Sequence, residues 1–190
     1  MTPALFLDRD DTVLVDTGYM SDIADFTWIT GAPQALRFAN QQKIQVFIVT
    51  NQGGIGRGFY TEAQMHLFHR KLIYETAQAG GVITDIAFCP HHPLATIPAL
   101  KTPCPCRKPE AGMLIQLAEK WQIDLSRSVM IGDKESDVTA GKTAGCHSVL
   151  FDPAKNLFDC VRSSLAQAGL IALLDSYDRH TFTTSGDSDR

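Results

Sequence analysis

Apolar positions recur along this chain in two alternating rhythms. Short runs at 4–7 (ALFL), 44–49 (IQVFIV), 82–88 (VITDIAF), 128–131 (SVMI) and 147–151 (HSVLF) predict β-strands. Between them, apolar residues spaced three and four apart predict helices over 33–42, 62–79, 111–121 and 137–145, with a weaker pattern over 157–174. Thr61 with Gln64 fits a capping box that opens the second helix, and Gly80-Gly81 fits its end. Strands alternating with helices predict an α/β fold, a doubly wound, mostly parallel sheet of Rossmann-like design covered on both faces. We read residues 1–175 as a single domain and 176–190 as a polar C-terminal tail.

In open α/β sheets, ligands gather outside the carboxyl ends of the strands. The residues following each predicted strand are therefore the first place to look for chemistry. Asp8-Arg9-Asp10 follows the first, and Thr50-Asn51-Gln52-Gly53-Gly54 the second. Cys89-Pro90-His91-His92 follows the third, on a loop that ends in Arg107-Lys108-Pro109. Gly132-Asp133-Lys134 follows the fourth. Polar residues follow strands in any fold, but four chemically unusual clusters at one edge call for a site.

Asp8, Asp10 and Asp11 lie close enough to disfavour each other's ionised forms, so they read either as solvated charge on a surface turn or as a site that binds a cation. Asp8 and Asp133, with the Asp10 carbonyl, make an oxygen ligand set suited to Mg2+. Thr50, Asn51 and Lys108 suit phosphoryl oxygens, and backbone N–H groups near Gly53 extend the cradle. This set predicts two successive displacements. Asp8 attacks phosphorus and carries the phosphoryl group. Asp10 protonates the leaving alkoxide and then takes a proton from water. Arg9, between them, is counted among the substrate contacts. Asp137 is expected either to cap the helix that follows or to support the metal.

Composition narrows the setting. The chain has 190 residues, 44% hydrophobic and 20% charged, with a net charge of −4, which argues against nucleic acid as a partner. No apolar run approaches the roughly 18 residues of a membrane span, and the N-terminus lacks a signal-peptide pattern. Three of the five cysteines crowd into 89–106, which suits a metal site in the cytoplasm better than a secreted disulfide framework. The spacing there is Cys-x-His, twelve residues, then Cys-x-Cys. Cys89, His91, Cys104 and Cys106 form a closed Zn2+ set, with His92 an alternative to His91 and a redox pair the competing reading. Such zinc would be structural. Cys146 and Cys160 read as core thiols.

The segments DRDDT, VTN, RKP and GDKESD resemble, in order and spacing, the four motifs of the haloacid dehalogenase superfamily of phosphohydrolases. The resemblance covers about residues 4–152. It implies Asp8 as nucleophile, Asp10 as acid and base, Asp133 as magnesium ligand, and phosphate contacts from Thr50 and Lys108. The stretches FLDRDDTVLVDTGYMSDIADFTWITG, VTNQGGIGRG and FCPHHP through CPCRKPEAGM look like the zinc-loop branch. That branch holds heptose bisphosphate phosphatases and histidinol-phosphate phosphatases, and the twelve-residue gap favours the former. The branch implies substrate contacts from Asp16, Thr17, Gly18, Tyr19, Thr50, Asn51, Gln52 and Gly53, selection by Arg107, and Lys134 beside the metal. A second phosphate would meet Arg107 or Arg57, although Arg57 reads first as a solvated loop charge. Close relatives usually carry glycine where this chain has Asp11, so a modest local change is expected there.

About forty residues separate Asp10 from Thr50, and only the cysteine loop precedes Lys108, so neither insertion has room for a cap domain. The expected protein is a monomeric phosphatase acting on a small sugar phosphate. The alternatives are a histidinol-phosphate or general phosphatase, and a zinc-stabilised scaffold without turnover.

Overall fold

The computed structural model describes residues 1–18 and 22–172. Five strands form one sheet: β1 (Ala4–Leu7), β2 (Gln45–Asn51), β3 (Asp85–Cys89), β4 (Val129–Gly132) and β5 (His147–Leu150). Their order is β3-β2-β1-β4-β5 and every pairing is parallel. Among the described residues, six α-helices accompany them: α1 (Ala32–Gln41), α2 (Gly53–Gly56), α3 (Glu62–Gln78), α4 (Gly112–Trp121), α5 (Glu135–Ala144) and α6 (Leu157–Gln167).

Side chains alternate across a strand, and here both faces are apolar, as a doubly covered parallel sheet requires. Leu5, Leu7, Val46, Ile48 and Ile131 join the core that holds residues of α1, α3 and α6. Ala4, Phe6, Phe47, Val49 and Met130 face the opposite core with residues of α4 and α5. Phe6 stacks on Phe47 at 5.3 Å between centroids. Each such side chain, fully buried, contributes about 1.5–3 kcal/mol.

The expected elements are present, with shifted ends. The third strand begins at Asp85 rather than at 82, because pairing to β2 starts where Asp85 meets Phe47, and Val82 is exposed. Thr50, Asn51 and Cys89 lie inside the paired strands rather than after them. The helix expected over 157–174 stops at Gln167. Helix α2 was not expected at all, since three of its four residues are glycine. The Thr61–Gln64 capping box is formed, and Gly80 has φ 78° just beyond the end of α3. The tail expected over 176–190 lies outside the described residues.

The order places β1 centrally, with the crossover reversing between β1 and β4. Asp8 continues the ladder beyond β1, its N–H donating to Ile131 O at 3.0 Å. Asp133 directly follows β4. The two carboxylates therefore bracket the point where the connections part, the usual place for a ligand crevice.

Candidate active site

A cavity of about 360 Å3 opens at this edge. Asp8, Arg9, Asp10, Asp16, Gly18, Thr50, Asn51, Gly53, Arg107, Lys108 and Lys134 of the expected set line it, and Asp137 joins them. Thr17, Gln52 and Asp133 are not among its lining residues, although Asp133 lies beside Asp8 and Asp137. Tyr19 lies outside the described residues.

Lys108 is the electrostatic centre. It is almost fully buried, and its ammonium donates to Asp8 Oδ1 at 2.6 Å and to Val49 O at 2.7 Å, and pairs with Asp137 Oδ1 at 2.6 Å. All three of its protons are thus engaged. Burial works against the charge, but Asp8 and Asp137 outweigh it and hold the Lys108 pKa above its ordinary value. Asn51 fixes the backbone: its Nδ2 donates to Lys108 O at 3.0 Å and its Oδ1 accepts from Lys108 N at 3.0 Å.

Burial has the opposite consequence for Asp8. It pushes the carboxyl up to about 7, with Lys108 opposing the rise and Asp137 and Asp10 adding to it. A carboxylate so desolvated becomes fully ionised near neutrality only with more positive charge nearby. The arrangement supplies a place for that charge. Ligand oxygens of Asp8, Asp133 and Asp137 lie within 4.8 Å of one another. Asp133 Oδ1 is buried and makes no hydrogen bond. Native proteins rarely leave such an atom without a partner, so the donor set fits a hard divalent cation. Lys134 Nζ lies 3.3 Å from Asp133 Oδ2 at the mouth.

Asp137 takes the capping role expected of it and adds an ion pair to Lys108. Its Oδ2 accepts from Lys134 N at 3.0 Å, closing the first turn of α5, while Oδ1 grips Lys108. Gly132 makes this approach feasible, because a Cβ there would lie 2.4 Å from Asp137 Cβ. Gly53 does the same on the other wall, where a Cβ would fall 2.8 Å from His92 Cδ2 and 3.2 Å from Arg107 NH1.

Asp11 answers for the missing glycine. Its φ is 56°, the left-handed region. Asp tolerates this region better than most residues do, and here the side chain gains a bond: Oδ1 accepts from Asp16 N at 3.0 Å. Asp16 Oδ1 then accepts from Gly18 N at 2.8 Å, so the carboxylates brace the rim of the cavity. Asp11→Ala keeps the strained φ and loses the acceptor, and is expected to cost about 1–2 kcal/mol. In Asp11→Gly the two effects oppose, and stability should move by less than about 1 kcal/mol. Chemical denaturation of the three proteins checks the ranking.

Cys89, His91, Cys104 and Cys106 converge. The sulfurs of 89 and 106 are 3.1 Å apart, those of 104 and 106 are 3.3 Å, and those of 89 and 104 are 3.5 Å. His91 Nδ1 lies 3.5 Å from both Cys89 and Cys106. None of these cysteines forms a disulfide. With metal–sulfur bonds of about 2.3 Å, tetrahedral sulfurs would sit about 3.7 Å apart, so the four groups already approximate such a set. Nδ1 of His91 faces this cluster, whereas His92 Nδ1 accepts from Leu94 N at 3.0 Å. The loop is tied to α2 by Gly56 N to Pro90 O (3.2 Å) and Thr96 N to Gly56 O (2.9 Å). Arg107 NH1 donates to His91 O at 2.8 Å, which links the cluster directly to the crevice. Cys146 is buried, its thiol pushed up to about 12 by burial, and Cys160 packs against the opposite core.

Arg9 and Gln52 are placed differently from the others. Both are 1% exposed, and their polar ends turn toward Asp10 rather than out of the crevice. Tyr60 and His69 were missed as parts of this region, and the contact of Asp137 with Lys108 was not foreseen.

A parallel sheet thus carries, at its carboxyl edge, a buried lysine clasped by carboxylates beside a candidate cation site, and the chain's similarity to known proteins gives this arrangement its class, that of HAD-like phosphatases. A family of HAD-hydrolase-like proteins matches residues 105–155. A protein of Rhodopseudomonas palustris named D-glycero-β-D-manno-heptose-1,7-bisphosphate 7-phosphatase is 39% identical, over 79% of this chain and 83% of that protein. Its namesake in Escherichia coli K12 is 36% identical over 86% and 90%. Among solved structures, the D,D-heptose 1,7-bisphosphate phosphatase of B. bronchiseptica, complexed with magnesium and phosphate, superposes with a TM-score of 0.72. It is 31% identical and the match covers 90% of this chain and 89% of that one. A HAD-like phosphatase of Mesorhizobium loti gives 0.78 at 31% identity, over 88% and 87%. The chain belongs to the D-glycero-β-D-manno-heptose-1,7-bisphosphate 7-phosphatase family of HAD-like phosphoric monoester hydrolases.

Proposed function

We propose that this enzyme removes the 7-phosphate of D-glycero-β-D-manno-heptose 1,7-bisphosphate through an aspartyl phosphate on Asp8. The observation that carries the reading is the Asp8–Lys108–Asp137 clasp beside the unpartnered Asp133 oxygen. Relatives of high coverage bear that substrate's name.

Asp8 forms the new O–P bond as the ester P–O bond breaks. As its oxygen engages phosphorus, Lys108 exchanges the Asp8 contact for a phosphoryl oxygen, and Asp137 keeps the ammonium in place. Asp10 gives a proton to the leaving alkoxide and later takes one from the water that attacks phosphorus, as the Asp8 O–P bond breaks and inorganic phosphate leaves. Thr50 and the backbone near Gly53 bind the remaining phosphoryl oxygens, while Arg107, Asp16 and Gly18 face the sugar end. Asp8, Asp133 and the Asp10 carbonyl would hold Mg2+, which when bound supplies positive charge against the phosphoryl group. Cys89, His91, Cys104 and Cys106 would hold a structural Zn2+ that fixes the loop carrying Arg107 and Lys108. Three clustered thiols without a disulfide support a reducing, cytoplasmic setting. Among the described residues, no helix is long and apolar enough to cross a membrane.

Phosphate release from both anomers of the heptose bisphosphate and from histidinol phosphate, with Mg2+ present, tests the reading. The β-anomer is expected to lead histidinol phosphate in kcat/KM by at least about tenfold, or about 1.4 kcal/mol. Equal rates on all esters would reduce the protein to a general phosphatase. No release from any of them would return it to a scaffold.

A further inference from the structure

We propose that Arg9, Gln52, Tyr60 and His69 are positioning residues that aim the Asp10 carboxyl at the leaving-group oxygen. This rests on Asp10 being the proton donor of the reaction above.

Arg9 grips Asp10 twice, Nε to Oδ1 at 2.7 Å and NH2 to Oδ2 at 3.1 Å. The same NH2 donates to Gln52 Oε1 at 3.0 Å, and NH1 lies 3.1 Å from His69 Nε2. The guanidinium carbon sits 5.0 Å from the centre of the Phe68 ring. Burying a guanidinium is costly unless every donor is matched, and here its buried contacts converge on one catalytic carboxylate.

Gln52 has no freedom either. Its Oε1 accepts from Arg9 and from Tyr60 Oη at 2.6 Å, while Nε2 donates to Asp10 Oδ2 at 2.9 Å and Thr50 Oγ1 at 2.8 Å. A flipped amide would set its NH2 against the guanidinium, so the orientation is determined. His69 is also constrained. Burial and the Arg9 charge bring its pKa down to about 3, so its neutral Nε2 accepts from Arg9 and the ring adds no second cation. Oδ2 of Asp10 thus accepts two hydrogen bonds and Oδ1 one. Oδ1 retains an open position and carries the proton that passes to the alkoxide.

The four residues come from separate places: the loop after β1, the turn into α2, the loop before α3, and α3 itself. A purely structural staple between α3 and the sheet has no need of a glutamine whose two protons end on Asp10 and Thr50. Holding the acid within a fraction of an ångström matters because about 1 Å of misplacement costs on the order of 100-fold in rate.

Leaving-group dependence separates positioning from structure. An alkyl ester such as the heptose bisphosphate needs its oxygen protonated as it departs, whereas p-nitrophenolate leaves without that help. The Mg2+-loaded enzyme is assayed for kcat/KM on the heptose bisphosphate and on p-nitrophenyl phosphate, for wild type, Tyr60→Phe, Gln52→Leu and Asp10→Asn. We expect each variant to lose at least about tenfold more on the alkyl ester than on the aryl ester, Asp10→Asn the most. Thermal midpoints report folding alongside. Equal losses on both esters in Tyr60→Phe and Gln52→Leu, or no loss on either, overturn the positioning role while leaving the reaction intact. An Asp10→Asn enzyme with equal losses on both esters overturns the proton-donor reading beneath it.

Discussion

Asp8→Asn is expected to lower turnover by at least about 10^4-fold, the scale at which a removed nucleophile usually registers. The same substitution should make the metal-free protein more stable above neutral pH. Asp8 has a folded pKa of about 7 because of burial, against about 3.9 in an unfolded chain. The folded state therefore binds the proton more tightly. That contribution is complete below about pH 4 and is lost as the pH rises through 7. At most about 4 kcal/mol is involved, since each pKa unit corresponds to about 1.36 kcal/mol. Asparagine removes the buried charge but weakens one of the Lys108 contacts, so a net gain of about 1–3 kcal/mol at pH 8 is expected. Denaturation with a magnesium chelator at pH 5.5 and pH 8 measures it. The wild type should weaken over that interval and the variant should not. Retained turnover in the variant would remove Asp8 as nucleophile.

The second large effect belongs to the cysteine cluster. The wild-type protein is expected to carry one zinc, and Cys106→Ser to lose it. Losing about 3–5 kcal/mol of a structural metal's stabilisation in a chain of this size should lower the thermal midpoint by about 10 °C. Activity should fall about 10–100-fold, because Arg107 is held to His91 O and Lys108 follows it directly. Metal analysis, thermal melting and steady-state kinetics on the same preparation check all three. An unchanged midpoint and full activity after zinc loss would leave the cluster without a structural role.

Much of this was legible in the chain. The alternation of apolar runs was enough for the sheet, and placing motifs at strand ends brought Asp8, Thr50 and Lys108 into one crevice with Asp133 beside Asp8. The parts that were not legible share a cause: they depend on contacts between distant segments. Helix α2 is mostly glycine, a poor helix former, and bonds across to Pro90 and Thr96 accompany it. The partnership of Asp137 with Lys108 joins α5 to a loop far upstream. From the sequence, Arg9 is counted among the substrate contacts, and no local periodicity says that such a residue turns inward onto Asp10. Its neighbours Tyr60 and His69 sit on different elements with no shared spacing. The signal available was the improbability of an arginine between two functional aspartates.

The connection from Asp8 to β2 contributes, among its described residues, one short 3₁₀ turn and the ten-residue α1, with Asp16 and Gly18 at the rim of the cavity. These elements are too short to form a cap domain, so the rim that a bound ester would meet is built from loop residues. On the proposed mechanism, discrimination among esters then comes from attraction by groups such as Asp16 and Arg107 at that rim.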